Sequence, residues 1–231
     1  MQIFDMHNHT TKGSADSSMP PEELAREASR IGLNGVCLTE HQFGLGKDHF
    51  DRFAEDIKSS MGLLLIRARE IDSDMGHILA IGLHDHVDGI GEVRTLRKVI
   101  DNVGGVIIAA HPFRHMFTRV PSQGYPNLLF PDSSLRPKTP KDSITHPVFE
   151  LVDDIEVDNG GNTPQENDFA KDVAELLNMS GIGGSDSHLR LGVGLATTEF
   201  DGDIRNEAEL IEAIKSKAFR PHGRVREEDS K

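Results

Sequence analysis

The chain has 231 residues, 36% of them hydrophobic and 27% charged, which is enough for one substantial hydrophobic core. No apolar run approaches the roughly 20 residues of a membrane helix, no signal-peptide pattern opens the chain, and the single Cys37 excludes an internal disulfide. We therefore expect a cytoplasmic protein. The formal net charge of −13 disfavours binding of long nucleic acid, but not of a short oligonucleotide or a small phosphorylated substrate.

Short apolar segments of β-strand character alternate with segments of helical periodicity along the chain. The predicted strands are residues 2–6, 35–39, 63–68, 77–83, 105–110, 154–159 and 181–186. The predicted helices are residues 22–31, 48–60, 94–102, 163–178 and 207–217, with Thr163 as the N-cap of the fourth. Such alternation is typical of closed or doubly wound parallel sheets. Only a turn separates the third and fourth strands, so we expect these two to pair as a hairpin.

We expect a single domain over residues 1–222. Residues 118–147 hold six of the eleven prolines and are predicted to form a long loop. A loop of that length in a compact domain is usually either disordered or a functional cover, so this segment is a candidate lid over a site. The charged residues 223–231 predict a flexible tail.

Ionisable side chains stand at or just beyond most of the predicted strand ends. They are His7, His9, Glu40, His41, Glu70, His111, Asp158, Asp186 and His188. In barrels of alternating strands and helices, the carboxyl ends of the strands converge on one face. His77 begins the fourth strand instead, but the expected hairpin brings it beside Glu70. By the same reasoning, His84 and His86 follow the fourth strand and should lie at the opposite rim, outside the site.

Each of these residues alone has an ordinary structural explanation, such as a hydrogen-bonded histidine, a helix N-cap or a solvated charge. A gathering of so many carboxylates and imidazoles would be costly to bury without compensation, whereas divalent cations make it favourable. The mixed imidazole and carboxylate set suits manganese, iron and zinc alike. The pattern therefore predicts a divalent metal site.

Five short motifs carry a resemblance to a known family. They are DMHNHT at residues 5–10, LTEH at 38–41, Glu70 within RARE, AHPFR at 110–114 and GSDSH at 184–188. In this order they resemble the motif series of the polymerase and histidinol phosphatase (PHP) superfamily, and the resemblance runs from residue 5 to about residue 221. It implies an α/β fold, a distorted TIM-like barrel of the (β/α)7 type, which agrees with the seven predicted strands.

The resemblance also implies a trinuclear site that holds two or three divalent ions of Mn, Fe or Zn. The implied ligands are His7, His9, Glu70 and Asp186 for the first metal, Asp16, His41 and His188 for the second, and Glu70, His77 and His111 for the third. Glu70 would bridge two of the metals. Glu40 is expected to orient a metal-bound imidazole from behind, and Asp5 is a candidate supporting partner of His7 and His9.

The function implied is a metal-dependent phosphoesterase that acts on a small metabolite, a nucleotide or a short oligonucleotide. A hydroxide bridging two metals would attack phosphorus, with His7, His9, Glu70, Asp186 and His188 as the catalytic set. Arg114 is either a phosphate-binding group or part of a surface ion pair. His115 is either a proton donor to the leaving group or a structural residue.

Two other functions stay open. The same metal-activated water attacks carbonyl carbon equally well, so the substrate could contain an amide or lactone instead of a phosphate ester. The barrel could also be a metal-binding module without catalysis. Missing ligands would mark such a module, and none of the strand-end set is clearly missing.

Overall fold

The computed structural model describes residues 1–42, 44–117 and 126–225. Within these ranges the backbone forms nine strands and six α-helices. The strands are β1 (Gln2–Asn8), β2 (Gly35–Glu40), β3 (Leu64–Ser73), β4 (Gly76–Ile81), β5 (Val106–Ala109), β6 (Asp154–Asn159), β7 (Ile182–Gly184), β8 (Thr197–Phe200) and β9 (Phe219–Gly223). The helices are α1 (Pro21–Arg30), α2 (Lys47–Met61), α3 (Val93–Val103), α4 (Pro140–Ser143), α5 (Pro164–Leu177) and α6 (Glu207–Lys215). None of the helices in the described ranges has the length and apolar character needed to span a membrane.

The strands form one mixed sheet in the order β7-β6-β5-β4-β3-β2-β1-β8-β9. The strands β1, β2 and β3 run parallel to one another, as do β5, β6 and β7. The strand β4 is antiparallel to both β3 and β5, because the β3–β4 turn reverses the chain as the sequence predicts. The hairpin β8–β9 extends the sheet beyond β1 in antiparallel fashion.

The sheet curls until β7 lies beside β1 and β8. The amide of Asp186 donates to the carbonyl oxygen of His7 at 2.7 Å, and the amide of His9 donates to the carbonyl oxygen of Ser187 at 2.9 Å. A Cβ at Gly183 would lie 2.3 Å from the carbonyl oxygen of Thr197, so only glycine permits this approach. The result is a nearly closed barrel, which confirms the α/β, TIM-like fold that the sequence predicts.

Alternate residues of the strands serve two different hydrophobic layers. Cys37 of β2 lies in the cluster that fills the barrel, together with Phe4 and Phe200, and α6 adds apolar side chains to it. Val36 and Leu38, the neighbours of Cys37, pack outward against α1 and α2. A third cluster joins α3 and α5 to the outer faces of β4, β5 and β6. The barrel is thus buried on both faces, as its continuous apolar strands require.

All five predicted helices are present, and the capping box of Thr163 and Glu166 opens α5 as expected. The sequence did not predict β8 and β9, because both are short and half polar and β9 contains Pro221. Residues 118–125 of the predicted loop lie outside the described ranges, and the remainder of that loop contains α4. Of the predicted tail, residues 226–231 also lie outside the described ranges.

Candidate metal centre

Ligand-type side chains from six strand ends converge at one end of the barrel. Among the described residues they form three groups, within each of which the ligand atoms lie within 4.8 Å of one another. The groups are His7, His9, Glu70 and Asp186; His9, His41 and His188; and Glu70, His77 and His111. Glu70 and His9 each belong to two groups, so the three groups form one continuous cluster.

The first group is the most deeply buried. The Nε2 atoms of His7 and His9 lie 3.0 Å apart. Glu70 Oε2 lies 3.2 Å from Nε2 of His7 and 3.1 Å from that of His9, and Asp186 Oδ1 lies 3.4 Å and 3.1 Å from the same two nitrogens. Two imidazole nitrogens and two carboxylate oxygens therefore face a common point.

An irregularity in β1 precedes the two histidines. Asp5 pairs with Val36 of β2, but Asn8 pairs with Leu38, so β1 holds one extra residue between these pairs. Such a bulge changes which side chains share a face of the strand. It separates the apolar stretch that includes Phe4 from the ligand-type His7 and His9.

The third group forms as the hairpin predicts. In the β3–β4 ladder Asp72 pairs with His77, which places Nδ1 of His77 2.8 Å from Oε1 of Glu70. His111, just beyond β5, brings its Nε2 to 2.9 Å from the same oxygen. The two oxygens of Glu70 therefore face different groups, one toward His77 and His111 and the other toward the first group.

The second group differs from the set that the sequence implies. The rings of His41 and His188 stack on His9 with centroid separations of 4.6 Å and 4.4 Å. Asp16 is not part of this group but lies at its edge, with Oδ2 at 3.1 Å from Nε2 of His188 and a side chain that is 60% exposed. Asp16 is therefore the most solvated member of the predicted ligand set.

Opposite charges share the cluster. Burial by itself lowers the pKa of the His7 imidazole, but the surrounding carboxylates, led by Asp186, raise that pKa well above its ordinary value. Burial likewise raises the pKa of Glu70, but the neighbouring imidazoles, led by His7, hold it well below its ordinary value. The protonated form of His7 and the ionised carboxylates thus stabilise one another.

A divalent cation at the common point would take the place of the protons on the His7 and His9 imidazoles. Nδ1 of His7 contacts Glu156, and Nδ1 of His9 contacts the Ser14 hydroxyl, so each neutral imidazole presents the lone pair of Nε2 to the common point. Two lone pairs and two carboxylates at this distance repel one another unless a cation lies between them. In addition, buried Nδ1 of His41 has no hydrogen-bond partner among the described residues. The donor set is one that divalent transition metals bind.

Glu40 lies behind His9, as the sequence predicts for a supporting carboxylate. Its Oε2 accepts a hydrogen bond from the Ser14 hydroxyl at 2.7 Å and another from the Thr10 amide at 3.1 Å. Ser14 in turn accepts from Nδ1 of His9 at 2.9 Å. Ser14 was not predicted, because a serine in a loop of small polar residues carries no distinctive sequence signal.

Asp5 acts on the backbone and not on an imidazole. It accepts hydrogen bonds from the amides of Ser185 at 2.8 Å and Gly194 at 2.9 Å, and from the amide of His7 at 3.3 Å. Burial raises the pKa of Asp5 to about 6. The side chain therefore fixes the loop that carries Asp186 against β1, so it supports the ligand-type residues through the backbone and not through an imidazole ring.

The sixth strand contributes Glu156 to the cluster and turns Asp158 away. Glu156 pairs with Ile182 and Asp158 with Gly183, so β6 also holds one extra residue between the pairs. Oε1 of Glu156 lies 3.1 Å from Nδ1 of His7, and Oε2 accepts from the amide of His111 at 2.7 Å. Asp158 instead accepts from the side chain of Asn167 at 2.8 Å.

We predict that Glu156→Gln lowers the affinity for Mn²⁺ by about 10- to 100-fold, the usual effect of losing a carboxylate behind a ligating histidine. The glutamine oxygen will face the His111 amide and the Asn159 amide group, since both donate to Oε2. Its NH₂ group will then face Nδ1 of His7 and force the other tautomer, with a proton on the metal-facing Nε2.

Isothermal titration with Mn²⁺ measures this effect. Asp158→Asn is the matched control, because it makes the same chemical change two residues further along β6 but outside the cluster. Equal Mn²⁺ affinities for the two variants would contradict the role assigned to Glu156.

Arg114 and His115 lie at the edge of the cluster, beside a cavity of about 440 Å³ that both line. NH2 of Arg114 lies 2.6 Å from Oδ2 of Asp186 and donates to Oδ1 of Asn159 at 2.6 Å, and its Nε donates to Asn162 at 3.0 Å. The ion pair that the sequence left open is therefore with a buried residue of the cluster and not with a surface group. As predicted, His84 and His86 lie outside the cluster, paired with Glu207 and Asp88.

Solved structures of three proteins share this architecture. A protein from Bifidobacterium adolescentis ATCC 15703, proposed to be a metal-dependent phosphoesterase, is 17% identical with a TM-score of 0.54, over 81% of this chain and 88% of its own. An amidohydrolase from Chromobacterium violaceum with bound sulfate and no metal is 14% identical with a TM-score of 0.58. The match covers 91% of this chain and 96% of the amidohydrolase. The lesion-specific endonuclease PfuEndoQ from Pyrococcus furiosus is 16% identical with a TM-score of 0.58. The match covers 95% of this chain and 57% of the endonuclease.

At these identities the three structures establish the fold. The sequence match comes from a family model described as PHP-associated (PHP_C), which covers residues 164–219 and so includes Asp186 and His188. These residues are therefore similar to PHP-associated sequences. The match supports, over residues 164–219, the family that the five motifs indicate. No curated protein matches the chain significantly.

Proposed function

We propose that this protein belongs to the PHP superfamily and is a metal-dependent phosphoesterase that hydrolyses a phosphate ester of a small metabolite, a nucleotide or a short oligonucleotide. The observation that carries the proposal is the position of Glu70, whose two carboxylate oxygens face separate ligand groups, one of which includes the cavity-lining His77 and His111. The phosphoesterase and endonuclease that share the fold support a phosphate substrate.

The ligand roles follow from the three groups. His7, His9 and Asp186 would hold a first divalent ion with Glu70, and His77 and His111 would hold another through its second oxygen. His41 and His188 would hold a further ion with His9 or with the more exposed Asp16. Bound divalent ions of Mn, Fe or Zn would lower the pKa of water and neutralise charge on the phosphate oxygens.

The remaining residues supply positioning. Arg114 is held by Asn159, Asn162 and Asp186, so its guanidinium is fixed at the cavity edge where a phosphate oxygen would lie. His115 lines the same cavity and would donate a proton to the leaving-group oxygen. Its backbone φ of 62° is a left-handed conformation, which the chain must hold specifically to present this residue.

Hydrolysis of an amide or lactone is the second candidate, and the fold shared with the amidohydrolase from Chromobacterium violaceum favours it. The same cluster could activate water toward carbonyl carbon. The fixed Arg114 favours the phosphate ester, because a guanidinium matches the geometry of a charged phosphate and a neutral amide needs no such partner.

Three chromogenic substrates, two that release p-nitrophenol and one that releases p-nitroaniline, separate these functions. We expect the Mn²⁺-loaded protein to release p-nitrophenol from p-nitrophenyl phosphate, to stop when a chelator removes the metal, and to resume when Mn²⁺ returns. Turnover of p-nitrophenyl acetate or p-nitroacetanilide alone would support the second candidate. Binding of Mn²⁺ without turnover of any of the three would support a metal-binding module. His86→Asn, a surface change outside the cluster, is the control that should keep full activity.

A further inference from the structure

The cavity beside the third ligand group has a mixed lining. His77 and His111 line it, so the cavity opens directly on the candidate metal centre. Its apolar wall consists of Met75, Pro112, Pro126, Leu128 and Leu129. Its volume of about 440 Å³ is in the range of small-molecule sites.

The apolar wall is anchored to the barrel. Leu129 is buried in the outer hydrophobic cluster, and Met75 packs against that cluster. Asn127, itself almost fully buried, donates to the carbonyl oxygens of Pro112 at 2.8 Å and Arg114 at 2.9 Å. These hydrogen bonds fix the leucine pair relative to Arg114, so the apolar wall and the guanidinium have a set separation.

The chemistry of the walls discriminates between leaving groups. The ionisable residues in the lining described by the structure are Asp16, Arg114 and three histidines, and Asp16 and Arg114 contact His188 and Asp186 of the candidate metal centre. A polyhydroxylated leaving group would lose hydration against Met75 and Leu128 without gaining partners. A flat apolar ring would instead bury its faces there, and the methionine thioether makes favourable contacts with aromatic rings.

We propose that this cavity is the leaving-group subsite and that it selects phosphate esters of aromatic alcohols, with Met75, Leu128 and Leu129 as the specificity-determining residues. This inference rests on the proposed phosphoesterase function. The phosphate would lie between the ligand groups and Arg114, and the ring would lie against the leucine pair.

Binding of phosphonates tests the subsite without hydrolysis. We expect the Mn²⁺-loaded protein to bind benzylphosphonate about ten-fold more tightly than methylphosphonate in isothermal titration, because only the former has a ring to bury. Leu128→Asn should remove most of this preference. Leu176→Asn is the matched control, since Leu128 is 49% exposed and Leu176, on α5 and outside the cavity lining, is 51% exposed. Equal affinities for the two phosphonates, or a preference that survives Leu128→Asn, would overturn the proposal.

Turnover of phenyl phosphate and glycerol 3-phosphate separates this proposal from the proposed function. A higher kcat/KM for phenyl phosphate, reduced by Leu128→Asn, supports both. Turnover of both esters with equal kcat/KM and no phosphonate preference overturns the subsite and leaves the phosphoesterase standing. A benzylphosphonate preference that Leu128→Asn removes, without turnover of either ester, supports the subsite and overturns the phosphoesterase.

Discussion

Glu70→Gln is expected to lower kcat for phosphate-ester hydrolysis by about 10³-fold or more, beyond the 10²- to 10³-fold loss typical for one stabilising group. Glu70 is the only side chain of the described residues that joins the first and third ligand groups. A glutamine keeps the shape of the side chain but presents one oxygen and one NH₂ group. Its single oxygen can therefore share a metal ion with His7 and His9 or with His77 and His111, but not with both pairs.

Metal content and thermal stability distinguish this loss from unfolding. Mn²⁺ should raise the Tm of the unmodified protein, because a ligand that binds only the folded state stabilises it. The Tm of Glu70→Gln should respond much less, and its bound Mn²⁺ should fall by at least one ion per chain. Glu27→Gln is the matched control, since Glu27 is equally buried but pairs with Arg30 and Arg190 away from the cluster. Full activity or full metal content in Glu70→Gln would show that Glu70 does not bridge.

The ligand cluster was predictable because its members stand at strand ends, where topology alone determines which residues meet. His7, Glu70, His111 and Asp186 needed only the strand assignment and the convergence of parallel strands. His77 needed one further step, the β3–β4 hairpin, because it begins its strand. For the other four residues, a short stretch of sequence carried both the predicted strand and the polar residue at or just beyond its end.

The supporting residues were not predictable in this way, because backbone irregularities decide which side chains face the cluster. The extra residue in β6 directs Glu156 inward and Asp158 outward, the reverse of what a strand-end count indicates. The available sequence signal for Glu156 was an acidic residue between the apolar Ile155 and Val157 of a predicted strand. Bulges depend on tertiary packing. Here Gly184 leaves room for the Glu156 side chain, since a Cβ at Gly184 would lie 2.7 Å from Oε1 of Glu156.

Arg114→Gln is expected to lower kcat/KM for a phosphate ester by about 10²- to 10³-fold, mainly through a higher KM, while the protein keeps its bound metal. Asn159, Asn162 and Asp186 hold the guanidinium in place, so little side-chain entropy is lost when a phosphate binds. Arg114 is also one of the groups that hold the pKa of Asp186 well below its ordinary value, although burial opposes this. Its loss therefore raises the pKa of Asp186 and moves proton competition for the metal site to higher pH.

Kinetics at pH 8 separate the two effects of Arg114. At that pH Asp186 stays ionised in the variant, so a loss that persists there belongs to substrate binding and not to a weakened metal site. Arg97→Gln is the control, because Arg97 of α3 is a similarly half-buried arginine that pairs with Asp101 and Asp153, away from the cavity. If raising the pH restores the activity of Arg114→Gln to that of Arg97→Gln, then Arg114 acts only through Asp186. A loss that persists at pH 8 with full metal content assigns the guanidinium to the phosphate itself.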